Sequence, residues 1–352
     1  MSQNLNTQPL LSKKHEEDNS MGLKNYVAKR IVYMLVLVWA VITVNFLIFS
    51  MLPGDPMEAY VSSMKKVDAA KYEQLKRYFG LDRPLHERYI ISLRNLLTFN
   101  LGISFHFRQS VSDVIFKEKL PNTLLLMGFS TVIHIALGML VGVLVAYKRG
   151  GAFDTAVVTA SLITFSVPIF FLGWLMVAFF ALYLHWFPSS LEQPVSWARN
   201  PPANFLELVS GRLAHLALPT ITLVLFTVGG WILLTRACVL ETINEDYVIT
   251  ARAKGLKERT VLYKHVLKNA SLPLITNAAL SFAFMISGAI ITETLFCYQG
   301  MGYLTWSAIS GGGGPDLPLL QALFYILALC VIIANFIADL LYGVIDPRIK
   351  YS

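Results

Sequence analysis

The sequence predicts an all-α polytopic membrane protein with six transmembrane helices and a small helical domain outside the membrane, between helices 1 and 2. The 352-residue chain is 55% hydrophobic and only 14% charged, whereas a soluble domain carries about 25% charged residues. Its mean hydropathy is +0.56. Several apolar stretches also reach the length of about 20 residues that a helix needs to cross a bilayer.

Six apolar stretches are predicted to span the membrane: 31–52, 122–147, 155–186, 216–235, 273–292 and 317–343. The third is too long for one straight helix, so either Pro168 kinks it or a shorter helix precedes the span. A seventh apolar stretch, 294–310, is interrupted by Gly300 and Gly302. We interpret it as a re-entrant or surface segment rather than another crossing.

The orientation follows from the positions of lysine and arginine, which are enriched in short loops on the cytoplasmic side of the membrane. These residues cluster before the first span, after the second, between the fourth and fifth, and at the C-terminus. Both termini are therefore predicted to be cytoplasmic. The net charge of +7 is interpreted as topology control, because no basic patch interleaved with aromatic residues indicates nucleic-acid binding.

The chain is predicted to divide into four parts: a polar cytoplasmic tail at 1–28, the first transmembrane helix at 29–52, an extracytoplasmic helical domain at 53–121, and a core of five transmembrane helices at 122–352 with a cytoplasmic segment at 239–272. Loops longer than about 60 residues are translocated largely regardless of their charge. The charged stretch 53–121 can therefore lie outside. Its helical periodicity includes Pro84 at the predicted first position of a helix.

The sequence lacks the motifs of a catalytic protein. It contains no Walker P-loop, HExxH or kinase motif, and no Cys/His spacing suits a metal site. His134 is the one titratable residue deep in a predicted span, and we interpret it as a packing residue. Ion-coupled carriers commonly place ionisable residues in mid-span. An energy source outside this polypeptide is therefore predicted.

Residues 246–260, with the sequence DYVITARAKGLKERT, are unusually charged for this chain. Gly255 can adopt the left-handed conformation that ends one helix before another begins, and Ala251 and Ala253 are small enough for a partner to approach closely. An apolar face follows, formed by Val261, Leu262, Val266 and Ala270. Two interpretations stay open, a solvated loop whose charges keep it inside or a compact knob of two short helices.

At this segment the sequence resembles the permeases of binding-protein-dependent ABC importers, in particular the first permease subunit of the peptide/nickel group. Their cytoplasmic signature is E-A-A-x-x-x-G with a later Leu-Pro. Ala251, Gly255 and Leu272–Pro273 match it, whereas Ile249 and Thr250 replace the first Glu-Ala. Further matches cover residues 25–350: LPGDP at 52–56, GLDRPL at 80–85, NLGIS at 100–104, LPNTLLL at 120–126, LALPTITL at 216–223, ETLFCYQGMG at 293–302 and ADLLYGVIDPRI at 338–349.

The resemblance implies a permease subunit that forms half of the translocation pathway of an ATP-driven importer for di- or oligopeptides. Such a permease pairs with a second homologous permease, binds two cytoplasmic ABC ATPase subunits and receives its substrate from an extracytoplasmic binding protein. The chain would then be no enzyme and bind no cofactor, because ATP and Mg²⁺ are held by the ATPases. Its expected location is the inner (cytoplasmic) membrane, in contact with lipid and without nucleic acid.

The resemblance also implies which residues act in coupling to the ATPase: Asp246, Tyr247, Ala251, Arg252, Ala253, Lys254, Gly255 and Leu256. Candidate residues of the substrate pathway are the polar side chains Asn277, Ser281, Ser287 and Thr292. Hydrogen bonding between helices is the alternative role for these polar residues. Glu293 and Asp339, near the ends of spans, are interpreted as structural caps.

Two alternatives in function remain at this point. The same type of permease also serves oligosaccharides and nickel complexes, and the sequence does not select among these substrates. A channel or an ion-coupled carrier belongs to a different class. It would work without an ATPase, and it would be expected to carry an ionisable residue in mid-span.

Overall fold

The computed structural model describes residues 8–51, 73, 77, 82–285, 289–311 and 314–345. Over these residues the chain is helical, apart from loops and one isolated β-bridge between Ile103 and Ser110. The all-α fold predicted from the sequence is thereby confirmed. The helices are α1 Gln8–Met51, α2 Leu85–Leu97, α3 Val111–Tyr147, α4 Ala152–Ser166, α5 Ile169–Tyr183, α6 Phe205–Ile243, α7 Asp246–Ala253, α8 Leu267–Phe284, α9 Ile290–Leu295, α10 Met301–Ser310 and α11 Leu317–Ile345. Further helical turns are Val195–Ala198, Glu258–Thr260 and Val261–Val266, and the last two lead directly into α8.

Among the described residues, four helices are long and apolar enough to cross a membrane: Val27–Met51 within α1, α3, α6, and Leu317–Ile337 within α11. Helices α4 and α5 pass the same test together but meet at an angle of 100°. The break falls at Val167 and Pro168, where proline lacks the N–H that would continue the helix. The expectation that the stretch 155–186 is not one straight helix is confirmed.

The predicted fifth span, 273–292, is divided between two helices. Helix α8 ends at Phe284 and α9 begins at Ile290, while residues 286–288 lie outside the described part of the chain. With the bent pair counted as one span, the described residues therefore provide five candidate crossings. The sixth crossing stays a prediction.

The stretch 294–310 does not form a further crossing. It contains the end of α9 and all of α10, and α10 has only 10 residues, about half the length that a span requires. Met301, Leu304 and Ala308 of α10 are fully buried. One face of α10 therefore packs into the helical bundle, whereas Trp306 and Ile309 on its other face are 49% and 50% exposed.

Helices α3 and α6 form the most extensive helix pair of the described chain. Small residues allow their backbones to approach, as is usual for helix packing in membranes. A Cβ atom added at Gly142 would lie 2.6 Å from Cβ of Thr235 on α6. Helix α4 approaches α6 in the same way, because a Cβ atom at Gly229 would lie 2.7 Å from the carbonyl oxygen of Ser161.

The predicted external domain is described only in its second half. Pro84 is the N-cap of α2, one residue before its predicted position as the first helical residue. Helix α3 begins at Val111 rather than at 122, so the last part of the stretch 53–121 belongs to a long continuous helix. The other half, including residues 52–72, lies outside the described residues.

The loop before α3 is fixed to the start of α11 by Asp316. Its buried carboxylate accepts hydrogen bonds from Oγ of Ser104 (2.5 Å), from the backbone N–H of His106 (2.9 Å) and from the N–H of Leu319 (3.2 Å). The last bond caps the N-terminus of α11. One carboxylate thus joins two segments that are about 200 residues apart in the sequence.

Candidate functional site

The segment 246–260 contains a short helix, α7, that ends at a glycine. Gly255 has a φ angle of +75°, which is the left-handed region that glycine occupies at low cost. The N–H of Leu256 donates to the carbonyl oxygen of Ala251 (3.4 Å), and the N–H of Gly255 donates to that of Arg252 (2.9 Å). This pair of hydrogen bonds is the Schellman motif. The predicted helix end at Gly255 is confirmed.

Lack of space is not the reason that position 255 requires glycine. No atom lies within 4 Å of a Cβ atom added at Gly255. A side chain here would therefore meet no neighbour, and its cost would come from the positive φ angle alone. The requirement is conformational and not steric.

One face of the segment packs inward on the helical bundle. Val248, Ala251 and Val261 are buried in a cluster that also includes Val239 of α6, Val266, Ala270 and Leu274. The predicted apolar face after Gly255 is present, with Arg259, Lys264 and Lys268 exposed on the other side. This packing favours the compact knob over the solvated loop.

Burial corrects the expectation for Ala251. Only 4% of this residue is exposed, so its small side chain allows close packing within this chain rather than the approach of a partner. Ala253 and Lys254 are exposed and remain accessible. The two alanines of the signature region therefore have different environments.

The outer face of the segment carries exposed apolar side chains beside charged ones. Ile249 is 55% exposed, and Tyr247 and Leu256 are each 40% exposed, with Asp246 and Lys254 next to them. Ile249 stands where the family signature has glutamate, and sequence reasoning did not include it in the site. Its side chain is exposed on the same surface as those of Tyr247 and Leu256.

Two side-chain contacts hold the segment together. Arg252 donates from Nε to Oε1 of Glu258 (2.9 Å), across the turn at Gly255. Asn269 donates from Nδ2 to the hydroxyl oxygen of Tyr247 (2.8 Å). Sequence reasoning missed Glu258 and Asn269, and only the opposite charges of Arg252 and Glu258 on either side of the glycine could have indicated the first contact.

The candidate pathway residues are not gathered into one polar site. Asn277 donates to the carbonyl oxygen of Pro273 (2.9 Å), and Ser281 donates to that of Asn277 (2.9 Å), so both bond to their own helix α8. Thr292, on α9, is buried, and its hydroxyl oxygen has no hydrogen-bond partner among the described residues. Ser287 lies outside the described residues.

Glu293 is a structural cap, as the sequence interpretation stated. Its fully buried carboxyl group accepts from the hydroxyl of Thr123 (3.0 Å) and from the N–H of Tyr303 (3.0 Å), which is in the first turn of α10. The same Thr123 hydroxyl oxygen accepts from the N–H of Met301 (2.7 Å). Two side chains thus satisfy the open N–H groups of α10. The side chain of Asp339 lies outside the described part of the chain.

Comparison with known proteins places these features in a family. Residues 138–351 match the family described as "Binding-protein-dependent transport system inner membrane component". Residues 23–127 match the N-terminal family of the same transport systems. Together the two matches cover most of the chain.

Curated relatives agree with this match. The chain is 34% identical over 338 residues to the di/tripeptide transport system permease protein DppB of Pseudomonas aeruginosa, covering 93% of this chain and 99% of the relative. It is 32% identical over 326 residues to the oligopeptide transport system permease protein AppB of Bacillus subtilis, with the same coverage. A more distant likeness is to a chain of the MetNI methionine ABC transporter, with 18% identity and a TM-score of 0.49 over 66% of this chain and 96% of that chain. This protein belongs to the family of binding-protein-dependent transport system inner membrane components.

Proposed function

We propose that this chain is the permease subunit that forms half of the translocation pathway of an ATP-driven importer for di- or oligopeptides. Peptide is the proposed substrate class because relatives that align along almost their whole length are named as di/tripeptide and oligopeptide permeases. Oligosaccharides and nickel complexes are the alternative substrates. The chain acts without catalysing a reaction, in the inner membrane and in contact with lipid, with both termini on the cytoplasmic side.

The observation that carries the coupling role is the two-faced segment around Gly255. Its inner face is packed against α6 and the start of α8, while its outer face exposes Tyr247, Ile249 and Leu256. A force applied to the outer face would therefore be passed to two helices of the bundle. This geometry suits docking of one of two cytoplasmic ATPase subunits, which bind ATP and Mg²⁺ and hydrolyse the ATP.

Transport then follows from two states of the bundle. The ATPase subunits and the substrate each favour one state by binding it more tightly, as coupling between sites requires. A second, homologous permease completes the pathway, and an extracytoplasmic binding protein delivers the peptide. Asn277, Ser281, Ser287 and Thr292 remain the proposed pathway residues of this subunit.

Reconstitution tests this proposal. The chain is purified with the second permease, the ATPases and the binding protein, and placed in lipid vesicles. We expect uptake of a labelled dipeptide that requires ATP and the binding protein and is not competed by oligosaccharide or nickel chelate. Uptake without ATP, or competition by one of these other solutes instead of peptide, would reject the proposal as stated.

The orientation is tested by cysteine labelling. In a chain with Cys297, the exposed native cysteine, replaced by serine, Lys257→Cys should react with an impermeant thiol reagent only from the cytoplasmic side. Lys257 is exposed, so access to the thiol depends on the side of the membrane. Labelling from outside intact cells would contradict the proposed topology.

A further inference from the structure

A group of ionisable side chains lies at the end of α3 that is remote from the segment 246–260. The terminal cluster consists of Lys119 on α3, Glu192 in the loop between α5 and α6, Arg212 on α6, and Tyr298 between α9 and α10. Lys119 and Tyr298 are buried, with 7% and 1% of the residue exposed. The far end of α3, at Tyr147, borders a cavity beside Arg252 and Glu258. The 28 residues of Leu120–Tyr147 separate the two sites, a rise of about 42 Å.

The two cations of this cluster are bonded to neutral amide oxygens. Lys119 donates from Nζ to Oε1 of Gln299 (2.6 Å), and Arg212 donates from Nη1 to Oδ1 of Asn122 (3.1 Å). The only carboxylate within 4 Å of Lys119 in the described chain is that of Glu118, at 3.8 Å and half exposed. Buried cations are normally paired with carboxylates. The cluster therefore retains positive charge that the chain only partly balances.

Two polar atoms of the cluster are buried and lack a hydrogen-bond partner in the part of the chain that the structure describes. They are Oε2 of Glu192 and the hydroxyl oxygen of Tyr298. Buried polar atoms are almost always bonded, and leaving one unbonded is costly. Asn122, which accepts from Arg212, also donates from Nδ2 to the backbone carbonyl oxygen of Gln299 (2.9 Å), the residue after Tyr298. Together with the Lys119–Gln299 bond, these contacts bring the segments that carry Lys119, Arg212 and Tyr298 together.

The loop that carries Glu192 is fixed in place. The N–H of Leu191 donates to the carbonyl oxygen of Phe296 (2.8 Å), and Nδ1 of His215 lies 3.0 Å from the carbonyl oxygen of Ser190. Leu191 itself has a φ angle of +72°, which is strained for a side chain of its type. A loop held in this way keeps the Glu192 carboxylate in the bundle, although the described residues offer no hydrogen-bond partner for its Oε2 atom.

We propose that the terminal cluster binds the charged ends of a zwitterionic solute. Glu192 takes the ammonium group, Arg212 and Lys119 take the carboxylate, and the Tyr298 hydroxyl supplies the remaining hydrogen bond. A short peptide has both charged groups, so this inference rests on the proposed function. It assigns to that function a recognition site for the peptide termini, separate from the pathway residues on α8 and α9.

The Tyr298→Phe variant distinguishes an effect on ligand binding from an effect on packing. Among the described residues this hydroxyl has no hydrogen-bond partner, so its removal should leave the thermal stability of the purified complex unchanged or raised. We expect the apparent KM for dipeptide uptake, at saturating binding protein, to rise roughly fivefold to tenfold. Tyr325→Phe is the matched control, because Tyr325 is equally buried but packs in a different cluster. An unchanged KM in Tyr298→Phe would overturn the inference.

Glu192→Gln tests the ammonium contact in the same vesicles. The wild-type complex should prefer a dipeptide with a free amino terminus over its N-acetylated form, and the variant should lose roughly tenfold of that preference. The control variant Glu118→Gln removes an exposed carboxylate beside Lys119. It should keep the preference for a free amino terminus. Preference retained in both variants would also overturn the inference.

The two proposals fail in different ways. If the unmodified complex takes up no peptide, the proposed function fails and the inference falls with it. If the unmodified complex takes up peptide and the Tyr298 and Glu192 variants behave like it, only the inference fails.

Discussion

Two short helices at opposite ends of the bundle, α7 and α10, each have a contact with a carboxyl group, and the two contacts differ in how deeply that group is buried. In the segment 246–260, α7 ends at Ala253 just before the turn at Gly255, and the carboxylate contact of Arg252 with Glu258 is exposed, with 54% of the Glu258 side chain accessible. At the other end, α10 follows its N-cap residue Gly300, and its carboxyl contact, Glu293, is fully buried. The first element stays accessible to a partner, whereas the second is locked into the bundle.

Burial explains this difference. A solvated ion pair contributes little because water competes for both charges. A buried carboxyl group that accepts several hydrogen bonds cannot be removed without leaving donors unpaired. A glutamate is therefore expected to be dispensable for stability at the exposed site and required for stability at the buried site. Four substitutions test this contrast, and they are described from the largest expected effect to the smallest.

Glu293→Leu should have the largest effect. It leaves the hydroxyl of Thr123 and the N–H of Tyr303 without their acceptor in a buried site. We expect the free energy of unfolding to fall by about 3 kcal/mol or more, at about 1–3 kcal/mol for each unpaired group. The measurement is the thermal midpoint and yield of the purified complex. Glu293→Gln, which keeps one acceptor oxygen, should retain more stability, and equal losses in both variants would contradict the capping role.

Gly300→Ala should destabilise the same site by crowding it. The added Cβ atom would contact Oγ1 of Thr123 and lie 2.5 Å from Oε2 of Glu293. Overpacking of this kind costs about 1–3 kcal/mol. Gly230→Ala on α6 is the matched control, because no atom lies within 4 Å of its added Cβ atom. A thermal midpoint that is lower for Gly230→Ala than for Gly300→Ala would show that crowding is not the cause.

Gly255→Val should act on transport more than on folding. The positive φ angle costs a residue with a Cβ atom about 1–2 kcal/mol, and the surrounding space is open. We expect an assembled complex whose peptide uptake is reduced several-fold because the end of α7 is distorted. Gly255→Asn should lose less, since asparagine tolerates the left-handed region better. Wild-type uptake by Gly255→Val would exclude the coupling role of this turn.

Glu258→Gln should have the smallest effect. The ion pair with Arg252 is exposed on both sides, so its loss should change the free energy of unfolding by less than about 1 kcal/mol. We expect assembly to be unaltered and uptake to stay within about twofold of the wild-type value. A loss as large as that of Glu293→Leu would mean that Glu258 is buried by a partner in the assembled transporter.

The sequence predicted the parts of the fold that follow from local chemistry. Apolar stretches predicted where α1, α3, α6 and α11 lie, because a spanning helix needs a long apolar run. Pro168 predicted the break between α4 and α5, and Gly255 predicted the end of α7, because each residue constrains its own backbone.

Other features depend on contacts between distant residues. The inward orientation of Ala251, the exposure of Ile249 and the start of α3 at Val111 were not predicted, because they depend on which helices pack together. The terminal cluster combines Lys119, Glu192, Arg212 and Tyr298 from four segments, and no local spacing links them.

The sequence by itself therefore determined the membrane class, the apolar helices, the breaks at proline and glycine, and the family resemblance. Each of these rests on properties of a single stretch of chain. The tertiary structure alone decided which polar groups are buried, which are paired and which face of the segment 246–260 is exposed. Burial and pairing arise only when segments far apart in sequence come into contact.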